Sequence, residues 1–448
     1  MAVEMTYAAD GRLTFGAVSC TCGLTHQQPQ VDVYVDAGIL GRLPAYIARR
    51  GFGKRCVLVA DNITYPLAGE TCAQLLTAAG YHVTPCVIQR GEAMEPDERA
   101  CGEVLLTIQD DTDFLISVGS GSLTDTTRIN AERCGLPFVC VGTAPSMDGY
   151  TSAIAPLLLR GAKIHRKGKC PEIIVCDLDI LRSAPKDMVV AGVGDVLGKY
   201  IALADWKIGS IINDEIYCSA CGEMVESALK KLLDNMAGIR DQTEDGIRAL
   251  IEALLLSGMT VMIIGHTRAV ASIEHNIAHL WEMRKLARGE TPPSHGASVG
   301  VATLMVWPLF ERFAREGFLH KPAIPTLLAG RISKADRVAW LKHAYGEEAA
   351  SAIMAENPSD FLADEEHARR IERAVTHYDD IRAVINAMPP FDVIRSAMEM
   401  LGAPMTPAQV SNDDELASLS MRAGKDYRTR YTLFKLLDEC GLLERYLA

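Results

Sequence analysis

A chain of 448 residues with 48% hydrophobic and 23% charged residues is long enough for two domains, each with its own core. Its formal charge of -12 at pH 7 argues against nucleic-acid and anionic-membrane partners, which need a basic footprint, and leaves room for a small anionic substrate in a local basic pocket. The 13 cysteines are odd in number and lack a disulfide-like framework, as expected of a reducing compartment.

The N-terminus, Met-Ala-Val-Glu-Met-Thr-Tyr, has no basic region followed by an apolar core, so no signal peptide is expected and a cytoplasmic location follows by default. Through residue 185, short β-rich runs alternate with helical patterns. The strands are expected over 31–35, 56–60, 82–88, 114–118, 138–141 and 173–176, and the helices over 40–50, 68–79, 97–108 and 123–133. That alternation predicts a largely parallel sheet with its ligand crevice at the carboxyl ends of the strands. From Met188 onward the periodicity is mostly helical. The most apolar stretch, 250–264, is interrupted by Glu252 and reads as a buried helix rather than a membrane span. Glycine and proline mark loops at 288–296 and 389–390, and the acidic, alanine-rich stretch 347–373 reads as solvated helices. The expected architecture is an α/β, Rossmann-like nucleotide-binding domain over 1–185 and an all-α domain over 186–448 that carries metal and substrate.

Several segments carry chemistry. The second strand ends in Asp61, whose carboxylate can accept hydrogen bonds from an adenosine ribose and repel a 2′-phosphate; its simpler role is to cap the following turn. The segment Gly119-Ser-Gly-Ser-Leu-Thr-Asp125 is a glycine-rich turn between a strand and a helix. There the backbone of Gly121, the hydroxyl of Ser122 and the following N–H groups can meet a pyrophosphate. It is not the G-x-G-x-x-G fingerprint. The loop Thr143-Ala-Pro-Ser-Met-Asp-Gly-Tyr-Thr-Ser152 follows another strand. In it Asp148 can hold a substrate hydroxyl, and Thr143, Ser146 and Ser152 can hold the cofactor. Asp195, His275 and His295 offer one carboxylate and two imidazoles, a ligand set for a divalent metal with open positions. Asp195 is expected to open a helix, where a carboxylate is often only a cap. His275 and His279 share one helix face. The position after His275 is Asn276, not the Glu a zinc protease needs, so His279 is cast as a substrate contact or proton relay. Cys20-Thr-Cys22 and Cys218-Ser-Ala-Cys221 read as ordinary thiols, the second pair lacking a partner C-x-x-C.

Read jointly, these segments resemble the iron-containing alcohol dehydrogenase and dehydroquinate-synthase-like superfamily, and within it most closely the sn-glycerol-1-phosphate dehydrogenases of the bacterial branch. The stretches that carry the resemblance are 119–125, Ala144-Pro-Ser-Met-Asp-Gly-Tyr150, Ala191-Gly-Val-Gly-Asp-Val-Leu-Gly-Lys-Tyr200 with Asp205-Trp206, Glu274-His-Asn-Ile-Ala-His-Leu-Trp-Glu-Met283, His295-Gly296 and Arg428-Thr-Arg-Tyr-Thr432. They run in the family's order over roughly residues 30–440, leaving residues 1–30 outside. Two departures stand out: Ser272-Ile273 where the family often has Ser-Gly, and Gly-Ser-Gly where it has Gly-Gly-Gly.

The resemblance implies a metal held at Asp195, His275 and His295, with Zn²⁺, Ni²⁺ and Fe²⁺ all suited to such ligands. It implies substrate contacts at Asp148, Asp195 and His279, the last two in catalytic roles. Cofactor contacts are implied at Asp61, Gly121, Ser122, Leu123, Thr124, Asp125, Thr143, Ala144, Pro145, Ser146 and Ser152, for NAD(H) or NADP(H). The implied activity is metal-assisted reduction of dihydroxyacetone phosphate to sn-glycerol 1-phosphate by a homo-oligomer, a dimer by preference, feeding glycerophospholipid synthesis. Lys163, Lys199 and Arg268 are candidates for the substrate phosphate. The alternatives are a glycerol or polyol dehydrogenase, a dehydroquinate-synthase-like cyclase, and a non-catalytic nucleotide-binding protein.

Overall fold

The computed structural model describes residues 5–15, 20–90, 94–159, 162–318, 323–357 and 362–448. The first four residues, part of the N-terminal reading above, and residues 358–361 of the acidic stretch lie outside them. By its contacts the chain forms two compact units: residues 1–19, 25–196 and 223–266 make the first, and residues 20–24, 197–222 and 267–448 the second. The division therefore does not fall at residue 185, because a long downstream helix belongs with the sheet.

The strands of the first unit are β1 (Met5–Tyr7), β2 (Arg12–Phe15), β3 (Asp32–Asp36), β4 (Arg55–Asp61), β5 (His82–Ile88), β6 (Phe114–Gly119), β7 (Phe138–Gly142), β8 (Ile154–Leu159), β9 (Ala162–Lys167) and β10 (Ile173–Asp177). One sheet runs β1-β2-β3-β10-β7-β6-β4-β5, and β8-β9 form a separate hairpin. The pairs from β3 through to β5 are all parallel, whereas β1, β2 and β3 pair antiparallel. Helices α1 (Leu43–Arg50), α2 (Glu70–Ala78), α3 (Glu98–Thr107) and α4 (Gly121–Cys134) alternate with the strands. The start of α3 is fixed by Asp97, which accepts from the Ala100 N–H at 2.7 Å. All six expected strands and four expected helices are present. β1 and β2 were not anticipated because three or four residues carry too little periodicity. The β8–β9 hairpin was not because Pro156 within its first strand reads as a loop.

The central strands β6, β7 and β10 are buried along their whole length, which is why they read as continuous apolar runs rather than as alternation. From β4 the chain moves outward to β5, and from β6 it moves the other way to β7, so the topological switch lies between β4 and β6. Val59 pairs with Ser117, so the two strands reach their carboxyl ends, Asp61 and Gly119, at the same level.

After β10 every described regular element is helical: α5 (Leu178–Arg182), α6 (Lys186–Leu197), α7 (Lys199–Asn213), α8 (Ser219–Asp234), α9 (Met236–Arg240), α10 (Glu244–Ile264), α11 (Ile273–Ala287), α12 (His295–Glu316) and further helices from 324 to 447. α10 is long and apolar enough to cross a membrane, with mean hydropathy 1.9 in its most apolar window, but 83% of that window is buried as a core helix of the first unit. Glu252 on α10 is buried and satisfied there, pairing with Lys231 and accepting from the Tyr7 hydroxyl of β1. The second unit is built on α7, α11, α12 and the helices after residue 324.

Candidate active site

In the first unit the candidate nucleotide residues gather at the ends of β4, β6 and β7. Asp61 Oδ1 accepts from the N–H groups of Ile63 (2.9 Å) and Thr64 (2.7 Å), so the capping role is present. The turn after β6 closes tightly: a Cβ on Gly119 would lie 2.4 Å from Leu123 Cδ1. α4 then begins with no side-chain cap, and the Thr124 N–H bonds back to Ser120 O at 3.0 Å. The preceding amides of Gly121, Ser122 and Leu123 are thus the helix's N-terminal donors, an anion-favouring arrangement. The loop after β7 is tied to this turn. Thr143 donates its N–H to Gly119 O at 3.2 Å, and the hydroxyls of Ser120 and Ser146 lie 2.7 Å apart.

Two expected cofactor side chains are engaged elsewhere. The Asp125 carboxylate pairs with Arg128, a fully buried guanidinium that also donates to the carbonyls of Gly149, Tyr150 and Ile154. Ser152 exchanges hydrogen bonds with the backbone of Ile154, accepting at 2.9 Å and donating at 3.0 Å. Both side chains shape the 143–152 loop.

That loop is seated by two glycines. A Cβ on Gly192 of α6 would lie 1.9 Å from Pro145 O, and one on Gly258 of α10 would lie 1.8 Å from Thr151 Oγ1 and 2.7 Å from Asp148 O. The Tyr150 hydroxyl donates to Ala144 O at 2.6 Å, and burial pushes its phenol well above the ordinary value. Asp195, on α6, accepts from the Asp148 N–H at 3.0 Å through Oδ2 and is fully buried. It does not open a helix, as the sequence suggested. It lies in the last turn of α6, and α7 starts only after Gly198, a position packed so closely that a Cβ there would lie 2.9 Å from Val299 Cγ1. A buried carboxylate in a last turn is no N-cap, so the capping explanation for Asp195 fails.

The second unit holds the imidazoles. α11 carries His275 and His279, and α12 begins at His295 after the expected loop. Ring centroids lie 5.3 Å apart for His275 and His295, 5.1 Å for His279 and His295, and 6.4 Å for His275 and His279. Each Nδ1 meets a carboxylate: His275 meets Glu274 Oε1 at 2.8 Å, His279 meets Glu282 Oε2 at 3.1 Å, and His295 meets Glu282 Oε1 at 2.8 Å. A carboxylate can only accept, so Nδ1 carries the proton and Nε2 presents its lone pair. This is the support that metal-ligating histidines receive, and the residues fit a divalent cation bound through Nε2. The donors of His279, Glu282 and His295 also lie within 4.8 Å of one another. Both Glu282 oxygens are spent on imidazoles, so that group orients rings rather than forming a second metal set.

Glu274 and Glu282 were not singled out in the sequence, although Glu282 stands one helical turn beyond His279. Tyr427, whose ring centroid is 5.6 Å from that of His279, was not singled out either. Of the basic candidates, Arg268 is committed to the fold: it donates to Glu215 at 2.7 Å, Asp205 O at 2.8 Å and Tyr431 O at 2.5 Å. Asp205 accepts from Ser272 Oγ at 2.6 Å and the Leu433 N–H at 2.7 Å, and burial pushes its carboxyl up to about 7 against these bonds and the Arg268 charge. Burial, reinforced by Arg268 and Arg428, pulls the Arg430 guanidinium down to about 10. Ile273 packs in contact range of Gly424, where a Cβ would lie 3.2 Å from its Cδ1.

The sequence profile of the iron-containing alcohol dehydrogenase family matches residues 34–185. Among curated relatives, a protein of Halalkalibacterium halodurans named glycerol-1-phosphate dehydrogenase (NAD(P)+) is 38% identical over 303 residues, covering 67% of this chain and 76% of its own. One of the same name from Geobacillus thermodenitrificans is 31% identical over 416 residues, 92% of this chain and 93% of its own. Among solved structures, sulfoacetaldehyde reductase from Bifidobacterium kashiwanohense in complex with NAD+ superposes with a TM-score of 0.60 at 14% identity, covering 95% of this chain and 99% of that one. Glycerol dehydrogenase from Schizosaccharomyces pombe superposes with a TM-score of 0.52 at 17% identity, covering 92% and 96%. These structures share the fold.

Proposed function

Because the chain belongs to the glycerol-1-phosphate dehydrogenase family of iron-containing alcohol dehydrogenases, we propose that it reduces dihydroxyacetone phosphate reversibly to sn-glycerol 1-phosphate with NAD(P)H and a divalent metal. The observation that carries this reading is similarity to a dehydrogenase of that name along 92% of the chain. The carboxylate-backed histidines of α11 and α12 support it chemically.

Asp195, His275 and His295 are the residues assigned to the metal, which is Zn²⁺, Ni²⁺ or Fe²⁺ by ligand type. The uncapped start of α4 at Gly121, Ser122 and Leu123, with the 143–146 segment beside it, is assigned to the dinucleotide pyrophosphate, and Asp61 to its ribose. The dinucleotide thus falls to residues 1–185, and metal and substrate to residues 186–448 with Asp148. When bound, the metal supplies Lewis acidity and the reduced nicotinamide supplies hydride. Asp148 and Asp195 orient the substrate. Their mutual hydrogen bond fixes the Asp148 loop at one height on α6. His279, with Nδ1 held by Glu282, would take a proton from solvent at Nε2 and pass it to the oxygen that becomes the product's 2-hydroxyl. A homodimer in the cytoplasm supplying glycerophospholipid synthesis is the proposed setting.

The test is a substrate panel with NADH: dihydroxyacetone phosphate against dihydroxyacetone. A marked preference for the phosphorylated ketone is expected. Equal or better turnover of the unphosphorylated ketone would replace this reading with a polyol dehydrogenase.

A further inference from the structure

Three sulfurs lie apart from the chemistry above. Cys20 and Cys22 sit in the short segment 20–24, and Cys218 immediately precedes α8; all three belong to the second unit. Their Sγ atoms lie within 4.8 Å of one another, although Cys20 and Cys218 are 198 residues apart in the chain.

The spacing has a specific meaning. Cys20 Sγ and Cys218 Sγ are 3.7 Å apart. That is far beyond the about 2.05 Å of a disulfide. Two thiolates each about 2.3 Å from one tetrahedral zinc ion lie about 3.8 Å apart, the separation seen here. The backbone is arranged around the sulfurs as well. The Leu24 N–H donates to Cys22 Sγ and the Cys221 N–H donates to Cys218 Sγ, each at 3.5 Å. N–H groups aimed at sulfur complement the negative charge of a metal-bound thiolate, as hydrogen bonds behind metal ligands do. The first of these bonds depends on Gly23, whose φ of 86° turns the chain back over Cys22.

We propose that Cys20, Cys22 and Cys218 bind a structural zinc ion, with His26, four residues beyond Cys22, as the fourth ligand. Three thiolates and an imidazole form a closed set that leaves no open position for substrate. The site is therefore a staple rather than a second catalytic centre, and its soft donors separate it from the oxygen and nitrogen ligands assigned to the catalytic metal. It would fasten the 20–26 segment to the start of α8 and so give that segment a role in the fold. Binding releases the thiol protons and stabilises the folded state.

The test uses the full chain, reduced, stripped of metal and titrated with Co²⁺. Only thiolate ligands give intense sulfur-to-cobalt charge-transfer absorption in the near ultraviolet, so the catalytic ligands are silent in that readout. The band is expected in the parent protein, in His275→Ala and in the exposed-thiol control Cys134→Ser. It should be lost in the Cys20→Ser/Cys22→Ser double variant and lost or shifted in His26→Ala. Cys20 and Cys22 are only half-buried, so the double variant should fold, which circular dichroism checks. No thiolate band in the parent, or a band that persists in the double variant, would overturn the proposal. So would a thiol count two short in unreduced protein, which would make the pair a disulfide instead.

Discussion

Glu282 Oε1 accepts a hydrogen bond from His295 Nδ1 at 2.8 Å, joining α11 to the first residue of α12. The same carboxylate holds His279 through its other oxygen, so one side chain sets the tautomer of an assigned ligand and of the assigned proton carrier. Glu282→Gln is expected to weaken metal affinity by about 10- to 100-fold, the usual effect of losing such a partner. Metal titration of the folded variant measures it. An unchanged dissociation constant would show that His295 needs no such support.

His275→Ala and His295→Ala should each lose most bound metal and nearly all activity while the fold survives. Elemental analysis beside circular dichroism decides this. Full occupancy in either variant removes that residue from the ligand set.

His279→Ala should keep the metal and lose about 10²- to 10⁴-fold in turnover, the range for a missing general acid–base group. The alternative is a histidine that only packs against Tyr427 and Glu282. In that case the variant melts early yet turns over normally per folded molecule. Metal content, melting temperature and kcat from one preparation distinguish the two.

NADH should be preferred over NADPH, because Asp61 ends β4 at the switch point. Asp61→Asn keeps an acceptor for the Ile63 and Thr64 amides and removes the charge, so it should narrow the preference without unfolding the turn. The ratio of kcat/KM for the two cofactors measures it, and a parent enzyme that favours NADPH refutes the role given to Asp61.

Gly192→Ala should cost about 1–3 kcal/mol of stability and impair turnover, because its Cβ would meet a backbone carbonyl that cannot rotate away. The carbonyl is Pro145 O, in the loop that presents Asp148 to Asp195. Thermal melts and kcat/KM report the two effects, and a variant with parental values for both would mean the loop has slack.

The sequence by itself determined the six parallel strands and the helices between them, because burial on both faces writes continuous apolar runs and helix packing writes a period near 3.6. It also showed His275 and His279 on one helix face, since that relation is local. What the tertiary structure decided are relations between residues distant in the chain. Asp195 was legible as a carboxylate but not as a buried acceptor from Asp148 in a last helical turn. Glu282 was legible as a neighbour of His279 but not as the partner of His295. Arg268 looked like a phosphate ligand until its guanidinium was seen held by Glu215 and two carbonyls. Cys20 and Cys218 looked like ordinary thiols until folding brought them to 3.7 Å. Periodicity records which face of an element is buried. It does not record which side chain a returning loop will set against it, and hydrogen bonds and metal ligands depend on that placement to within a few tenths of an ångström.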